Sequence, residues 1–325
     1  MADAIPARAA PGEGLSTPMK LILGLLLALL LVAPALVYPI ALMKVLCFAL
    51  FACAFNLVLG YTGLLSFGHA AFFGWAAYVS AHVVKVWGLP PELGILAGTA
   101  AGAALGLVFG WLAIRRQGIY FAMVTLALAQ MMFFVALEVP FTHGEDGIQA
   151  VPRGTLFGVF DLTQPYTMYY TVLAIFLIGF AVIYRTIHSP FGQVLKAIRE
   201  NEPRAISLGY KVDQYKLLAF TLSAGLAGLA GATKAIVFQL ASLTDATWQM
   251  SGEVVLITLL GGVGTVFGPV AGAVIWVFLE TYLSGIGSWV TVIQGSIFVI
   301  VVLTFRKGVV GELGEWFRRR GGAAP

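Results

Sequence analysis

Apolar residues come in runs long enough to cross a bilayer, and the runs repeat along nearly the whole chain. Ten can be delimited, at about residues 20–38, 41–60, 63–84, 92–113, 119–138, 168–184, 216–238, 254–263, 266–283 and 289–305. A helix rises ~1.5 Å per residue, so roughly 17–25 apolar residues cover a hydrocarbon layer of about 30 Å. The eighth run is too short to do this alone. Strands of a membrane barrel would instead alternate apolar and polar positions over about ten residues. The runs do not alternate, so the elements they predict are helices. The expected fold class is all-α: a polytopic membrane protein with about ten apolar segments, eight to ten of them spanning, some broken or re-entrant.

Composition agrees with the pattern. Only 10% of the 325 residues are charged and 60% are hydrophobic, whereas soluble domains carry about a quarter charged residues. The polar opening, "MADAIPARAAPGEGLSTP", lacks a cleavable-signal pattern, and the first apolar run reads as a retained span. Cys47 and Cys53 lie six residues apart, on different helix faces, and read as small packing residues. Phosphate-binding loops, metal-ligand clusters and nucleophile elbows do not occur in the sequence, which disfavours an enzyme and leaves metal and catalytic residues unassigned.

Charge orients the spans. Fifteen of the nineteen Lys and Arg residues fall in the N-terminal tail, at Arg115 and Arg116, between Arg185 and Lys216, or between Arg306 and Arg320. Alternating ten segments from a cytoplasmic N-terminus puts all of them inside, with both termini cytoplasmic. The opposite loops, about 139–167 and 239–253, are acidic. The organisation expected is a cytoplasmic tail (1–19), a transmembrane domain (20–305) with a cytoplasmic loop at about 185–215, and a second cytoplasmic tail (306–325). If 254–263 and 266–283 form one re-entrant hairpin, the topology elsewhere is unchanged.

Two stretches are too rich in glycine for ordinary spans: Asn56 to Tyr78 and Leu259 to Ile275. Broken helices at membrane depth need protein or a water-filled path to satisfy the backbone, and paired breaks in two halves of a chain point to a transport pathway. Close helix packing accounts for the same glycines.

The loop "SPFGQVLKAIRENEPRAISLGY" (Ser189 to Tyr210) carries local helix signals. Ser189 is a good N-cap and Pro190 a good first helical residue. Phe191, Val194, Leu195 and Ile198 share one face. Pro203 ends that helix and starts another, which Gly209 can close. A basic amphipathic helix can rest on anionic lipid. The break, the mixed charges and Asn201 at the bend fit a protein groove better.

That loop, with "KVDQYKLLAFTLSAGLAGLAGA" after it, resembles the coupling loop and following helix of LivM-type permeases, the membrane subunits of branched-chain amino-acid ABC importers. So do "GYTGLLSFGHAAFFGWAAYVSA", "GIYFAMVTLALAQM" and "SGEVVLITLLGGVGTVFGPVAGAV", in the family's order. The resemblance implies a fold similar to ribose and vitamin B12 permeases and a LivH-type sister permease. It also implies LivG- and LivF-type ATPases that bind the ATP, a periplasmic binding protein, and a bacterial inner-membrane location. This subunit would need no cofactor of its own. Gly192, Lys196, Ala197, Arg199, Glu200 and Asn201 would couple to an ATPase. At "THGEDG" the chain departs from the expected T-G-G-x-D-G, with His143 at the second position.

Asn56, Thr62, Ser66, His69, Thr125 and Gln130 are uncharged polar residues at similar depth, able either to line a substrate path or to bridge helices. Lys44 and Glu280 lie near outer span ends, where snorkelling explains them; Lys234 faces the bundle or a sister subunit. A urea or short-amide permease is the nearest rival, and a secondary transporter the rival from another class. The latter calls for a paired intramembrane acid, and only Glu138 and Glu280 offer themselves.

Overall fold

In the computed structural model, residues 28–35, 37–283, 285, 289–304, 308 and 311–312 are described. All of the 1–19 tail, most of the 306–325 tail and the start of the first apolar run lie outside them. Residues 28–35 are a short helix, α1. From Pro39 the chain forms a separate compact unit. Its long helices are α2 (Pro39–Thr62), α3 (His69–Lys85), α4 (Pro91–Ala113), α5 (Ile119–Glu138), α6 (Pro165–His188) and α9 (Val212–Phe238). Between α6 and α9 lie the short α7 (Pro190–Glu200) and α8 (Glu202–Ser207); α10 (Trp248–Gly261), α11 (Gly268–Leu283) and α12 (Trp289–Thr304) follow α9.

Among the described residues five helices are long and apolar enough to cross a membrane: α2, α4, α5, α6 and α9. The others are shorter, with 17 residues in α3, 14 in α10 and 16 each in α11 and α12. Two boundaries differ from the apolar pattern. The third run begins at 63, yet α3 starts only at His69, after a non-helical stretch at 63–68. The eighth run begins at 254, yet α10 starts at Trp248. Gln249, Ser251 and Glu253 interrupt the apolar run without interrupting the helix.

In the core α3, α4 and α9 pack on one another, and α9 also runs along α2, whose other main neighbours are α6 and α11. Every fourth residue of α4 from Gly94 to Gly110 is glycine, and this row lies against α3 and α9. A Cβ on Gly98 would stand 2.6 Å from the Ala76 carbonyl oxygen, and one on Gly102 2.9 Å from Gly228 Cα. Backbones therefore pack against backbones, which small residues permit in a bilayer where the hydrophobic effect gives helices no reason to associate.

The two ends of the bundle differ. At one, β1 (Ile148–Gln149) pairs antiparallel with β4 (Leu240–Ala241), joining the two loops whose acidic character sets them apart in the sequence. Lys85 Nζ donates to the Gln149 carbonyl oxygen at 2.6 Å and Arg153 Nη2 to that of Val237 at 2.7 Å. Nearby β2 (Thr155–Leu156) and β3 (Phe160–Asp161) form a hairpin. Beyond it the Thr163 backbone N–H, then its hydroxyl, donate to Asp161 and hold that carboxyl below its ordinary value. His143 has φ of 63°, a left-handed conformation that favours glycine, the residue expected at that position from the motif. This is the ribbon end.

At the elbow end α7 and α8 meet at an angle. The Ser189 side chain accepts from the Gly192 N–H at 3.3 Å, and the Asn201 side chain accepts from the Arg204 N–H at 3.0 Å, so each helix has its own N-cap. Gly209, at φ 88°, turns the chain into α9. The buried face of α7 is Leu195 and Ile198, the latter clustered with Ala205 and Val212. Glu202 and Lys216 form an ion pair at 2.7 Å that ties α8 to α9.

Candidate functional site

Two interruptions of helical structure face each other near the elbow. One is the stretch 63–68 between α2 and α3. Thr62, buried, bonds within its own helix to the Val58 carbonyl oxygen at 2.6 Å, and Gly63 at φ 76° then ends α2 in the left-handed manner of a helix C-terminus. The peptide N–H groups that follow have no helical acceptors, and side chains supply them. Ser66 Oγ accepts from the Gly68 N–H, and Thr125 Oγ1 from the Phe67 N–H, both at 3.1 Å. Ser251 of α10 accepts from the Ala70 N–H at 2.9 Å, filling one of the vacant donors at the start of α3.

The other interruption is the turn 262–267 between α10 and α11. It is a tight helical hairpin: a Cβ on Gly272 would clash with the Ile257 carbonyl oxygen, and one on Gly261 with that of Gly268. Asn56 reaches this turn from α2. Its side chain donates to the Thr265 carbonyl oxygen and accepts from the Gly264 N–H, both at 2.9 Å. One buried amide thus occupies two backbone groups that the helices leave unpaired.

Structure gathers Asn56, Thr62, Ser66 and Thr125 around these breaks, each committed to holding backbone. His69 is fully buried in a box of Phe55, Phe72 and Phe220, with ring centroids 5.0–5.6 Å away, and its Nε2 lies 2.9 Å from Ser223 Oγ. Gln130 stands apart, half-buried on α5. Ser223, Ser251 and Thr265 were not singled out in the sequence. They are small polar residues among many, and only the fold shows that Ser251 and Thr265 accept from backbone N–H groups and that Ser223 meets His69.

The elbow residues divide. Gly192 is buried against its own parent helix, where a Cβ would stand 2.5 Å from the Thr186 carbonyl oxygen; it allows the sharp turn out of α6 and presents nothing outward. Arg199 is exposed, yet its guanidinium reaches back to the bundle and donates through Nη1 to the Gly60 carbonyl oxygen. Lys196 lies over the Tyr61 ring at 5.7 Å, and Asn201 is spent capping α8. Gln193, Ala197 and Glu200 are exposed and line the outer face of α7. Ile206 and Leu208 continue that surface at 56% and 69% exposure. Apolar side chains standing out of a polar elbow are suited to anchor a partner.

Lys44, Glu280 and Lys234 each form an ion pair within the chain. Lys44 of α2 meets Glu280 of α11 at 2.8 Å, and Lys234 of α9 meets the buried Asp245. Glu253 lies within electrostatic range of both pairs. Glu280 thus already has a cationic partner in its own chain. Among the described residues no group of His, Cys, Asp and Glu is placed to hold a metal.

This architecture, long apolar helices interrupted by glycine-rich breaks around a polar elbow, is that of a multi-pass membrane protein. Residues 38–302 match the sequence profile of the family described as the permease component of the branched-chain amino acid transport system, and the chain belongs to that family. Its members are transport subunits, not enzymes. The chain is 28% identical over 297 residues to the high-affinity branched-chain amino acid transport system permease protein LivM of Escherichia coli, covering 83% of this chain and 69% of that one. It is 27% identical to the ribose import permease protein RbsC of Bacillus subtilis, covering 71% and 73%. It is 29% identical to the inner membrane ABC transporter permease protein YjfF of Escherichia coli, covering 70% and 71%. No solved structure matches the chain.

Proposed function

We propose that this chain is the membrane-spanning permease subunit of an ATP-driven importer of leucine, isoleucine and valine. It sits in a bacterial inner membrane with both termini cytoplasmic and eight to ten crossings. A LivH-type permease completes the pathway, LivG- and LivF-type subunits bind and hydrolyse ATP, and a periplasmic binding protein delivers the substrate. The observation that carries this reading is the elbow. It joins two capped helices with a buried apolar face and an outward face of Gln193, Ala197, Glu200, Ile206 and Leu208, at the end of the bundle where both helix breaks lie. Such a surface can receive a push from a soluble partner and pass it to the membrane helices.

A small residue at the centre of the outward face lets a groove wall approach closely. Ala197→Trp should therefore reduce co-purification of the ATPases at least fivefold and leave membrane insertion unchanged. Uptake of labelled leucine by the complete system, competed by isoleucine and valine and not by urea, tests the substrate. Urea uptake that leucine fails to compete would favour the amide-permease alternative. Co-purification at the wild-type level with Ala197→Trp would remove the docking role from this face.

A further inference from the structure

Within the elbow, Arg199 bonds to elements distant from its own helix. Its guanidinium donates to the carbonyl of Gly60, in the last turn of α2. That carbonyl is one of the four at the end of α2 that no intrahelical N–H can reach, and it lies at the negative pole of the helix dipole, where a cation is favoured. Glycine backbone surrounds the contact. A Cβ on Gly63 would stand 3.3 Å from Arg199 Cγ, and one on Gly264 would stand 3.2 Å from Arg199 Nη1. Both glycines hold left-handed φ, 76° and 79°. A Cβ on Gly60 would stand 2.8 Å from the Gly264 nitrogen. The end of α2, the start of the 63–68 break, the α10–α11 turn and the elbow helix therefore meet at one side chain.

Asn56 locks the same junction one turn further into the bundle, through its two bonds to Gly264 and Thr265. We propose that Arg199 is a positioning residue that links movement of α7 to both interrupted helices, with Asn56 as the clasp that keeps them together. In the conformation seen here the glycine backbones of Gly60 and Gly264 touch, so the two breaks are shut against each other at the elbow end. Displacing α7 by about an ångström draws the guanidinium off the Gly60 carbonyl, because a hydrogen bond weakens steeply beyond its normal length. The end of α2 and the α10–α11 turn are then free to part. The Arg199 guanidinium is thus engaged with the bundle, while the exposed Ala197 and Glu200 of the same helix remain for the partner. The inference rests on the reading of α7 as the element that the ATPases move.

The test uses the complete transporter in proteoliposomes, with labelled leucine uptake and ATP hydrolysis measured on the same vesicles. Arg199→Met keeps an unbranched apolar stem and removes the donors. It should leave ATPase co-purification and binding-protein-stimulated hydrolysis within twofold of wild type and lower leucine uptake per ATP at least tenfold. Arg199→Lys, which retains a donor within reach of Gly60, should recover uptake per ATP to within about threefold of wild type. Asn56→Asp, which keeps the acceptor for the Gly264 N–H and loses the donor to Thr265, should lower the ratio as well, and it serves if the methionine variant fails to accumulate. Uptake per ATP at the wild-type level in either of these two variants would overturn the proposal. Loss of ATPase co-purification with Arg199→Met would also overturn it, by placing Arg199 in the docking surface. The underlying reading fails separately: it falls if Ala197→Trp leaves association intact or if the wild-type complex does not take up leucine.

Discussion

Helix α2 is tied to the α10–α11 hairpin twice, once near each end of the bundle, and the two ties are chemically unlike. Toward the ribbon end Lys44 meets Glu280, and beside them Lys234 meets Asp245, so the partners are full charges on side chains. Toward the elbow, about 18 Å away along the helix axis at ~1.5 Å per residue, Asn56 and Arg199 bond only to backbone of Gly60, Gly264 and Thr265. A charge pair in a poorly polarisable interior is costly to separate, because each partner is left unneutralised. A hydrogen bond to a backbone carbonyl can be exchanged for another donor or for water at a cost of about 1 kcal/mol. The ribbon end is therefore suited to act as a fixed pivot and the elbow end as the part that opens. The glycines at the elbow add to this, since their backbone can change conformation with little steric penalty.

The pivot can be broken most severely at Lys234. Asp245 is only 2% exposed, so Lys234→Met strands a carboxylate inside the bundle. The expected loss of stability is about 3–5 kcal/mol, read as a large drop in the thermal midpoint of the detergent-solubilised protein. Adding Asp245→Asn removes the stranded charge and should restore most of that loss. A single variant that melts with wild type would show that charge does not hold this end.

At the elbow the matching change is Asn56→Ala, which leaves the Gly264 N–H and the Thr265 carbonyl without partners. Unmade bonds of buried polar groups cost about 1–3 kcal/mol, so the midpoint should fall less than with Lys234→Met. Hydrogen exchange at the Gly264 amide should quicken while the ribbon amides of Ile148 and Ala241 keep their wild-type rates. Faster exchange at both ends together would contradict a division of the bundle into a pivot and an opening end.

How far each end could be read from sequence follows from the range of the interactions. The elbow was legible: Ser189, Pro190, Pro203 and Gly209 act on their immediate neighbours, and the two helices form where these residues place them. The bond from Arg199 to Gly60 was not. Only apolar residues mark the buried face of α7, and a long cationic side chain next to Ile198 can bend to either side of it. Lys44 and Glu280 are 236 residues apart, and a pattern within single helices carries no information on which helices meet. The early start of α10 was hidden because Gln249, Ser251 and Glu253 break the apolar run, and an apolar pattern carries no sign that the helix continues through them. The glycine row of α4 was available in the sequence at every fourth position, but the apolar residues between the glycines mask it as an ordinary span.

The mildest intervention concerns the other half of the pivot, Lys44 and Glu280. Their side chains are 25% and 40% exposed, so solvent and headgroups can take over part of each charge's stabilisation when its partner is lost. Pairs of this exposure contribute about 1 kcal/mol or less, and Lys44→Met should lower the thermal midpoint far less than Lys234→Met. Charge reversal separates a real pairing from mere proximity. Lys44→Glu sets an acid beside Glu280 and within range of Glu253, and should destabilise more than the methionine change. Combining it with Glu280→Lys recreates an ion pair of opposite polarity between α2 and α11 and should bring the midpoint back toward wild type. A double variant no more stable than Lys44→Glu alone would mean that this contact adds nothing to the pivot. The fixed end would then rest on Lys234 and Asp245.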